Sequence, residues 1–520
     1  MTGELKSKPG APPTYARRWA VIDWNHHQKN VERLQMRIAK AVKQQRWGRV
    51  NALQRMLVTS FSGKLLAVKT VTSNKGKRTP GIDGILWRTP KAKLLAVETL
   101  HRKGYKAQPL RRIYIPKSKD KMRPLGIPTM KDRAMQALYA MALKPIAEVR
   151  ADEHSYGFRP HRSVADAIEQ CFNVLASENR AQWVLEGDIK ACFDQIDHKW
   201  LLDNIPMDKS ILRQWLKCGY MENDAFCATE AGSPQGGIIS PILANMALDG
   251  LQAVIKKAAP YGSKVNFVRY ADDFICTAKD PKLLTDKIMP AIRAFLGPRG
   301  LSLSEVKTAI THIDKGFDFL GFCIRKYKGK LLIKPAKLKV RSFCRKIKQS
   351  IRALRFKKAH EMIDTVNRQL RGWANFYRTA VAKRTFSKID FYVFKTLWRE
   401  LKRRHPNKSG KWIRKVYFTS KRNDNWVFYG KECTKTKQRH KYLYKMSSCQ
   451  IRRHVKVRSK AHPFDPDHRA YFLKRGKIGR ANRERDKLKG TRTTTAWQPR
   501  IAGQRELFPP GRIETALTVA

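Results

Sequence analysis

Two aspartates stand side by side, Asp272 and Asp273, between two apolar runs, and this arrangement restricts the fold more than any other stretch of the chain. Val265, Phe267 and Val268 precede Tyr270-Ala271-Asp272-Asp273, and Phe274 and Ile275 follow. β-Branched and aromatic residues on both sides of a polar tip predict a β-hairpin with two carboxylates at its turn. Adjacent carboxylates repel, and a divalent metal offsets that repulsion. The plain alternative is an Asp-containing turn without chemistry.

WVLEGDIKACFDQIDH (183–198) places Asp188 just after an apolar run that reads as a strand. With Asp188 facing the hairpin tip, three carboxylates converge. Such a set suits two Mg²⁺ ions about 3.5–4 Å apart, one activating a primer 3′-hydroxyl and the other holding a triphosphate for in-line nucleotidyl transfer. Oxygen-only ligands and phosphate chemistry favour Mg²⁺ over Mn²⁺. Asp194 and Asp197, in the same run, read as helix capping and a solvated face. SPQGGIISPILANMALDGL (233–251) joins a turn that allows close backbone approach to an apolar helix. RRIYIPKSKDKMRPLGIP (111–128) spreads Arg112, Lys117 and Arg123 over a hairpin, where they either clamp a triphosphate or form a solvated basic surface. Its glycines are too sparse for a P-loop.

Charge narrows the partner. The 520 residues carry 108 Lys plus Arg against 42 Asp plus Glu, a formal net charge of +66. A self-repelling surface of that size calls for a polyanion, and nucleic acid is the obvious one. The basic residues span the whole chain and no apolar run approaches the ~20 residues that cross a bilayer, which argues against a membrane partner. A hydrophobic share of 42% is high for a ribosomal or chromatin-type protein and favours a folded enzyme. The nine cysteines include no C-x-x-C pair, which argues against a zinc ribbon or a disulfide framework. Together with an N-terminus that lacks the apolar core of a secretion signal, this points to a reducing, bacterial-type cytoplasm or its nucleoid.

Five regions follow from the pattern. Residues 1–84 form an arm and a helical extension, with two amphipathic helices expected from Leu34, Ile38 and Val42 and from Leu53, Met56, Leu57 and Phe61. Residues 85–325 interleave short strands and helices, an α+β core. Residues 326–400 are helical and rich in Lys and Arg. Residues 401–475 are basic and more irregular, with Trp412, Tyr417, Trp426, Tyr429, Tyr442 and Tyr444 interleaved, to stack on bases or, more commonly, to pack a small core. Residues 476–520 have weak periodicity and read as a poorly ordered tail.

In order along the chain, TPGIDG, RIYIPK…RPLGIP, HSYGFRPHRS (154–163), EGDIKACFDQIDH, SPQGGIISPILAN, YADD, LSLSEVKT (301–308) and FDFLGF (317–322) resemble the sequence blocks of group II intron reverse transcriptases. The resemblance covers about residues 30–475 and implies a right-hand polymerase: fingers, a palm with an antiparallel sheet and a helical thumb, followed by a basic C-terminal DNA-binding region. It implies an RNA-directed DNA polymerase whose metal-binding catalytic residues are Asp188, Asp272 and Asp273. Phe193 matches a steric gate against the 2′-hydroxyl; Arg112, Lys117 and Arg123 match contacts to the incoming dNTP. Gln235 falls in the block lining the nucleotide pocket, and Lys307 matches a residue proposed to protonate pyrophosphate, with a structural lysine the alternative. NRQLRGWANFYR (367–378) resembles the maturase segment, which binds the intron RNA through residues such as Arg368, Arg371, Trp373 and Arg378. The implied partners are group II intron RNA, target DNA, RNA template with DNA primer, and dNTPs. Many relatives end in a His-Asn-His endonuclease with paired cysteines; residues 477–520 hold no cysteine or histidine, so no DNA endonuclease activity is expected. Cys433, His440, Cys449 and His454 have unorthodox spacing for zinc. A splicing-only maturase and a retron-like or defence enzyme are the competing readings; all three aspartates argue against the first and the maturase segment against the second.

Overall fold

The computed structural model describes residues 15–118, 121–177, 179–222, 225–233, 236–421, 424–433 and 438–491. Three helices follow Asp23, whose carboxylate accepts from the backbone N–H of Asn25 and His26: α1 (Trp24–Lys43), α2 (Trp47–Thr59) and α3 (Phe61–Ser73). Two helices were expected here. The apolar spacing runs on through Phe61, but Ser60 is extended and its Oγ accepts from Gly63 N at 3.0 Å, ending one helix and capping the next. Met56 and Phe61, read as core, are 50% and 59% exposed. Gln35 and Gln54 tie this bundle to the body by donating to the carbonyls of Met141 and Pro206.

Strands β1 (Leu110–Ser118) and β2 (Lys121–Ile127) form the expected basic hairpin, followed by α4 (Met130–Arg150) and α5 (Val164–Leu175). Next come β3 (Trp183–Asp188), β4 (Tyr220–Glu222), β5 (Ala225–Cys227), α6 (Ser240–Leu248), β6 (Asn266–Tyr270), β7 (Asp273–Ala278) and β8 (Ala309–His312). They make two four-stranded sheets, β2-β1-β4-β5 and β6-β7-β3-β8, and every pairing is antiparallel except β1 with β4. In the second sheet successive residues point to opposite faces, as the period of two dictates. Leu185, Phe267, Phe274 and Cys276 enter one core, shared with the N-terminal helices. Val184, Val268 and Ile275 enter a second core.

That second core continues into a sheet of β9 (Phe317–Phe319), β10 (Phe322–Tyr327) and β11 (Lys330–Pro335), then into α7 (Lys337–Ala353), α8 (Ala359–Tyr377) and α9 (Lys383–Arg404). The region boundary expected at 325 falls inside β10. Glu400, 4% exposed, binds α9 to the end of α7 through Arg355 at 2.6 Å and Arg352 at 3.3 Å. Residues 401–475 are more regular than expected: α10 (Gly410–Tyr417) precedes an antiparallel sheet of β12 (Phe418–Lys421), β13 (Asp424–Cys433) and β14 (Gln438–Tyr442). Its Phe418 and Trp426 pack with Phe394 and Trp398 of α9 in one cluster.

An extended strap over residues 451–465 then returns across the body. Arg452 N donates to Arg378 O, His454 Nε2 lies 2.9 Å from Asp166 Oδ1 and Val457 N donates to the same oxygen at 2.8 Å. Arg162 Nη2 donates to the carbonyls of Ser459 and Ala461, and Lys43 Nζ meets Asp465 Oδ2 at 2.6 Å. The contacts divide the chain after Pro466. The second unit contains α11 (Arg469–Thr491), which runs through residues 476–491. Apolar periodicity is absent, but from Arg480 to Lys489 the segment is mostly Ala, Arg, Lys, Leu and Glu, strong helix formers, and it has no proline. Residues 492–520 lie outside the described residues.

Candidate active site

The β3–β7 register sets Asp188 directly opposite Asp273, on the sheet face that also carries Val184 and Ile275. Tyr270 pairs with Asp273, leaving Ala271 and Asp272 as a two-residue turn. Ala271 sits at φ +59°, a left-handed conformation that costs a residue with a Cβ. Gly187, opposite Phe274, admits the Phe274 ring: a Cβ there would lie 2.2 Å from it. The expected hairpin and strand therefore do bring Asp188, Asp272 and Asp273 to one end of one sheet.

The three carboxylates act on one another. Loss of surrounding water raises the Asp272 pKa, with Asp188 adding to the rise, while Arg123 and Lys307 oppose it. Asp273 is pushed up to about 6, first by desolvation in the cleft and then by the charges of Asp272 and Asp188. Two residues back on the same face, Glu186 is driven to about 7 by burial, with Thr311 Oγ1 donating to it at 3.3 Å. Sequence reading missed Glu186; its i,i+2 spacing from Asp188 on a strand was the available signal. Among the described residues, no group of three or more His, Cys, Asp or Glu side chains stands in metal-ligand geometry. The aspartates are neighbours in register and charge, with Asp188 engaged by a cation of the chain itself. Lys307 Nζ lies 2.7 Å from Asp188 Oδ2, and this pairing raises the lysine's pKa. The loop carrying Lys307 docks on the end of β3 through Ser304 N to Asp188 O at 2.8 Å and an Ile189–Leu303 bridge.

Phe193 lies on the short helix Cys192–Gln195, entered through Ala191 at φ +43°. Burial raises the pKa of the adjacent Cys192, and the charges of Asp272 and Asp188 add to the rise, so this helix stands beside the carboxylates. Phe158, 56% exposed and at φ +57°, meets the Phe193 ring edge-on at 6.2 Å; its place beside the gate position was not anticipated. Asp197 caps the following helix, as read from the sequence, by accepting from Trp200 N.

On the basic hairpin the register separates the expected cations. Arg123 pairs with Ile115 and shares a face with Arg111, Ile113 and Leu125, and its charge is felt at Asp272. Arg112 lies on the opposite face, its guanidinium 3.6 Å over the Tyr220 ring. Arg112 therefore stands on Tyr220, away from the face of Arg123, and Arg111 stands on the same face as Arg123. Lys117 lies on β1. Gln235 lies outside the described residues. The close approach of the adjacent Gly236 backbone is to the fingers hairpin, since a Cβ there would lie 2.5 Å from Gly126 O.

The maturase candidates lie apart, at α8. Arg368 and Arg371 are exposed, Arg371 over the Tyr444 ring at 4.3 Å, and Arg378 is half-buried with its carbonyl under the strap. Trp373 is half-buried against the second core: its ring stacks on that of Phe343 with centroids 5.0 Å apart and lies 4.2 Å from that of Tyr377. Cys433 is exposed and Cys449 buried, while His454 is taken up by Asp166.

Comparison with known proteins agrees with this layout. The family model described as reverse transcriptase (RNA-dependent DNA polymerase) matches residues 115–324, the N-terminal domain of reverse transcriptase matches 19–100, and the group II intron maturase-specific domain matches 340–418. Protein YkfC of Escherichia coli is 34% identical over 314 residues, covering 52% of this chain and 82% of that protein. The group II intron-encoded protein LtrA of Lactococcus lactis is 30% identical over 429 residues, covering 63% of this chain and 70% of that protein. Reverse transcriptases as a family use divalent metals. No described helix is long and apolar enough to cross a membrane. The chain belongs to the group II intron-encoded reverse transcriptase and maturase family: it is an RNA-directed DNA polymerase with a role in intron splicing.

Proposed function

We propose that this chain copies RNA into DNA at Asp188, Asp272 and Asp273, and that the same molecule holds a group II intron RNA through α8. The observation that carries the reading is the convergence of three mutually repelling carboxylates at one sheet end, under the charge of Arg123 and beside Lys307. Two Mg²⁺ ions, held by these carboxylates, would supply the charge neutralisation that nucleotidyl transfer needs. The chain's own residues do the rest. Arg123 and Arg111 grip the triphosphate as charge-assisted donors. Phe193, braced by Phe158, closes the space where a 2′-hydroxyl would sit. Lys307 shields Asp188 in the resting state and then stands beside the departing pyrophosphate. Arg368, Arg371 and Arg378 contact intron RNA, and residues 401–475 engage target DNA.

Primer extension on an RNA template with dNTPs and Mg²⁺ tests this. The native chain should make cDNA, and Asp272→Ala plus Asp273→Ala should lower the rate at least about a thousandfold, the loss of roughly 4 kcal/mol of charge stabilisation. Both proteins should bind and promote splicing of the intron RNA. Splicing without cDNA from either protein would leave a maturase alone.

A further inference from the structure

The turn that presents Asp272 and Asp273 is held from beneath by a buried polar cluster with no part in substrate contact. Arg269, the residue before Tyr270, is fully buried. Its Nη2 lies 2.5 Å from Asp249 Oδ1 and 4.0 Å from Asp152 Oδ2. Its Nη1 donates to Asn245 Oδ1 at 3.2 Å and reaches the carbonyl of Ala271 at 3.4 Å. Arg269 therefore grips the left-handed residue of the turn from the same strand.

A second grip comes from the other side. Asn245 Nδ2 donates to the carbonyl of Gly157 at 2.9 Å. Gly157 lies so close to the turn that a Cβ would sit 2.4 Å from Ala271 N and 3.0 Å from Tyr270 C. The segment is fixed along β6 by Tyr156 N to Arg269 O and Arg269 N to His154 O, each 2.9 Å. Arg159 fastens it further, donating to the carbonyls of Asp152 and Ser155 while paired with Glu148 at 2.9 Å. A plain two-residue hairpin turn needs none of this. A non-glycine residue held left-handed persists only where its surroundings over-determine it.

We propose that Asn245, Asp249 and Arg269, with Gly157, are positioning residues for nucleotidyl transfer: they lock the Ala271 turn so that Asp272 and Asp273 stand at a fixed height opposite Asp188. Asn245 is the hinge pin, since its amide holds Arg269 with one atom and Gly157 with the other. The inference rests on the active-site reading above. A displacement of about 1 Å in such a site costs up to about a hundredfold in rate, so the cluster governs turnover without touching substrate.

The test uses the full-length chain with Asn245→Ala, which removes both ties, and Gly157→Ala, which removes no polar contact and pushes the turn directly. Arg269→Ala is avoided because it strands buried carboxylates and invites unfolding. Thermal melting and primer–template affinity establish that each variant folds and binds. We expect both to bind primer–template within about twofold of the native chain, while kcat falls about ten- to a hundredfold and the Mg²⁺ concentration for half-maximal rate rises. A structural role alone lowers the melting temperature and leaves the Mg²⁺ dependence of the folded fraction unchanged. Native kcat and Mg²⁺ dependence in folded Gly157→Ala or Asn245→Ala overturns the proposal. Asp272→Ala plus Asp273→Ala runs beside them, and full activity in that control sinks the active-site reading itself.

Discussion

Two hairpins face each other across the candidate site, and they are built in opposite ways. The acidic one, β6–β7, is buried on both sides: Val268 and Ile275 are fully buried on one face, and Phe267 and Phe274 are almost so on the other. Its turn is clamped by Arg269 and Gly157. The basic one, β1–β2, is anchored at its base, where Leu110 pairs with Tyr220 and Gly126 packs on Leu110, while Tyr114, Ile115 and Met122 further out are 48%, 41% and 54% exposed. Carboxylates that share a metal site must be fixed to fractions of an ångström. Cations that receive a triphosphate need reach more than fixity, because the electrostatic attraction falls off slowly with distance.

The contrast yields predictions of decreasing size. The acidic hairpin should tolerate no added volume: Gly187→Ala, whose Cβ meets the buried Phe274 ring, should reduce cDNA synthesis about a hundredfold while intron RNA binding is retained. Near-native synthesis would show that this strand has slack. The basic hairpin should fail more gently and by face. Arg123→Ala should raise the dNTP KM about tenfold, the loss of one charge-assisted contact. Arg112→Ala, by contrast, should change it less than about twofold, because the guanidinium lies on Tyr220. Steady-state titration with dNTP separates them, and equal losses would refute the register argument. Next, Phe158→Ala should lower discrimination between dNTP and NTP about threefold by loosening an edge-on ring contact, measured as the ratio of kcat/KM values.

The smallest effect is a slope. Burial and the neighbouring carboxylates push the Asp273 carboxyl up to about 6, well above the ordinary aspartate range. The folded chain therefore holds this proton more tightly than the unfolded chain does. The Asp273 contribution to stability without divalent ions should fall as pH rises from about 4 to about 6 and then level off, with Glu186 extending the decline to about 7. Thermal melting in EDTA checks the direction, and Asp273→Asn should flatten the slope.

Local patterns in the sequence located the elements that bring the three aspartates to one sheet end. The acidic hairpin and β3 are legible because alternating apolar residues and a polar tip are short-range signals, and the three aspartates follow from them. What escaped depends on distant partners. Arg111 and Arg112 are adjacent and chemically alike, so only the strand register and Tyr220 decide which one faces the site. Glu186 reads as a generic polar residue until β8 arrives with Thr311. Trp373, among arginines in a maturase-like segment, shows nothing in the sequence of the Phe343 and Tyr377 rings that pack on it. Asn245 sits in an apolar helix as if by accident, and its two hydrogen bonds go to residues 24 and 88 positions away.

The strap over residues 451–465 carries a consequence in time. Asp166 and Val457 meet across 291 positions of sequence. A ribosome adding 5–20 residues per second needs roughly 15–60 s to span that gap. Throughout that interval the nascent palm has all its aspartates but lacks the segment that fastens α5 and the Arg162 loop. Every catalytic carboxylate is thus synthesised before the latch, and the latch emerges only after the α8 residues proposed to hold the intron.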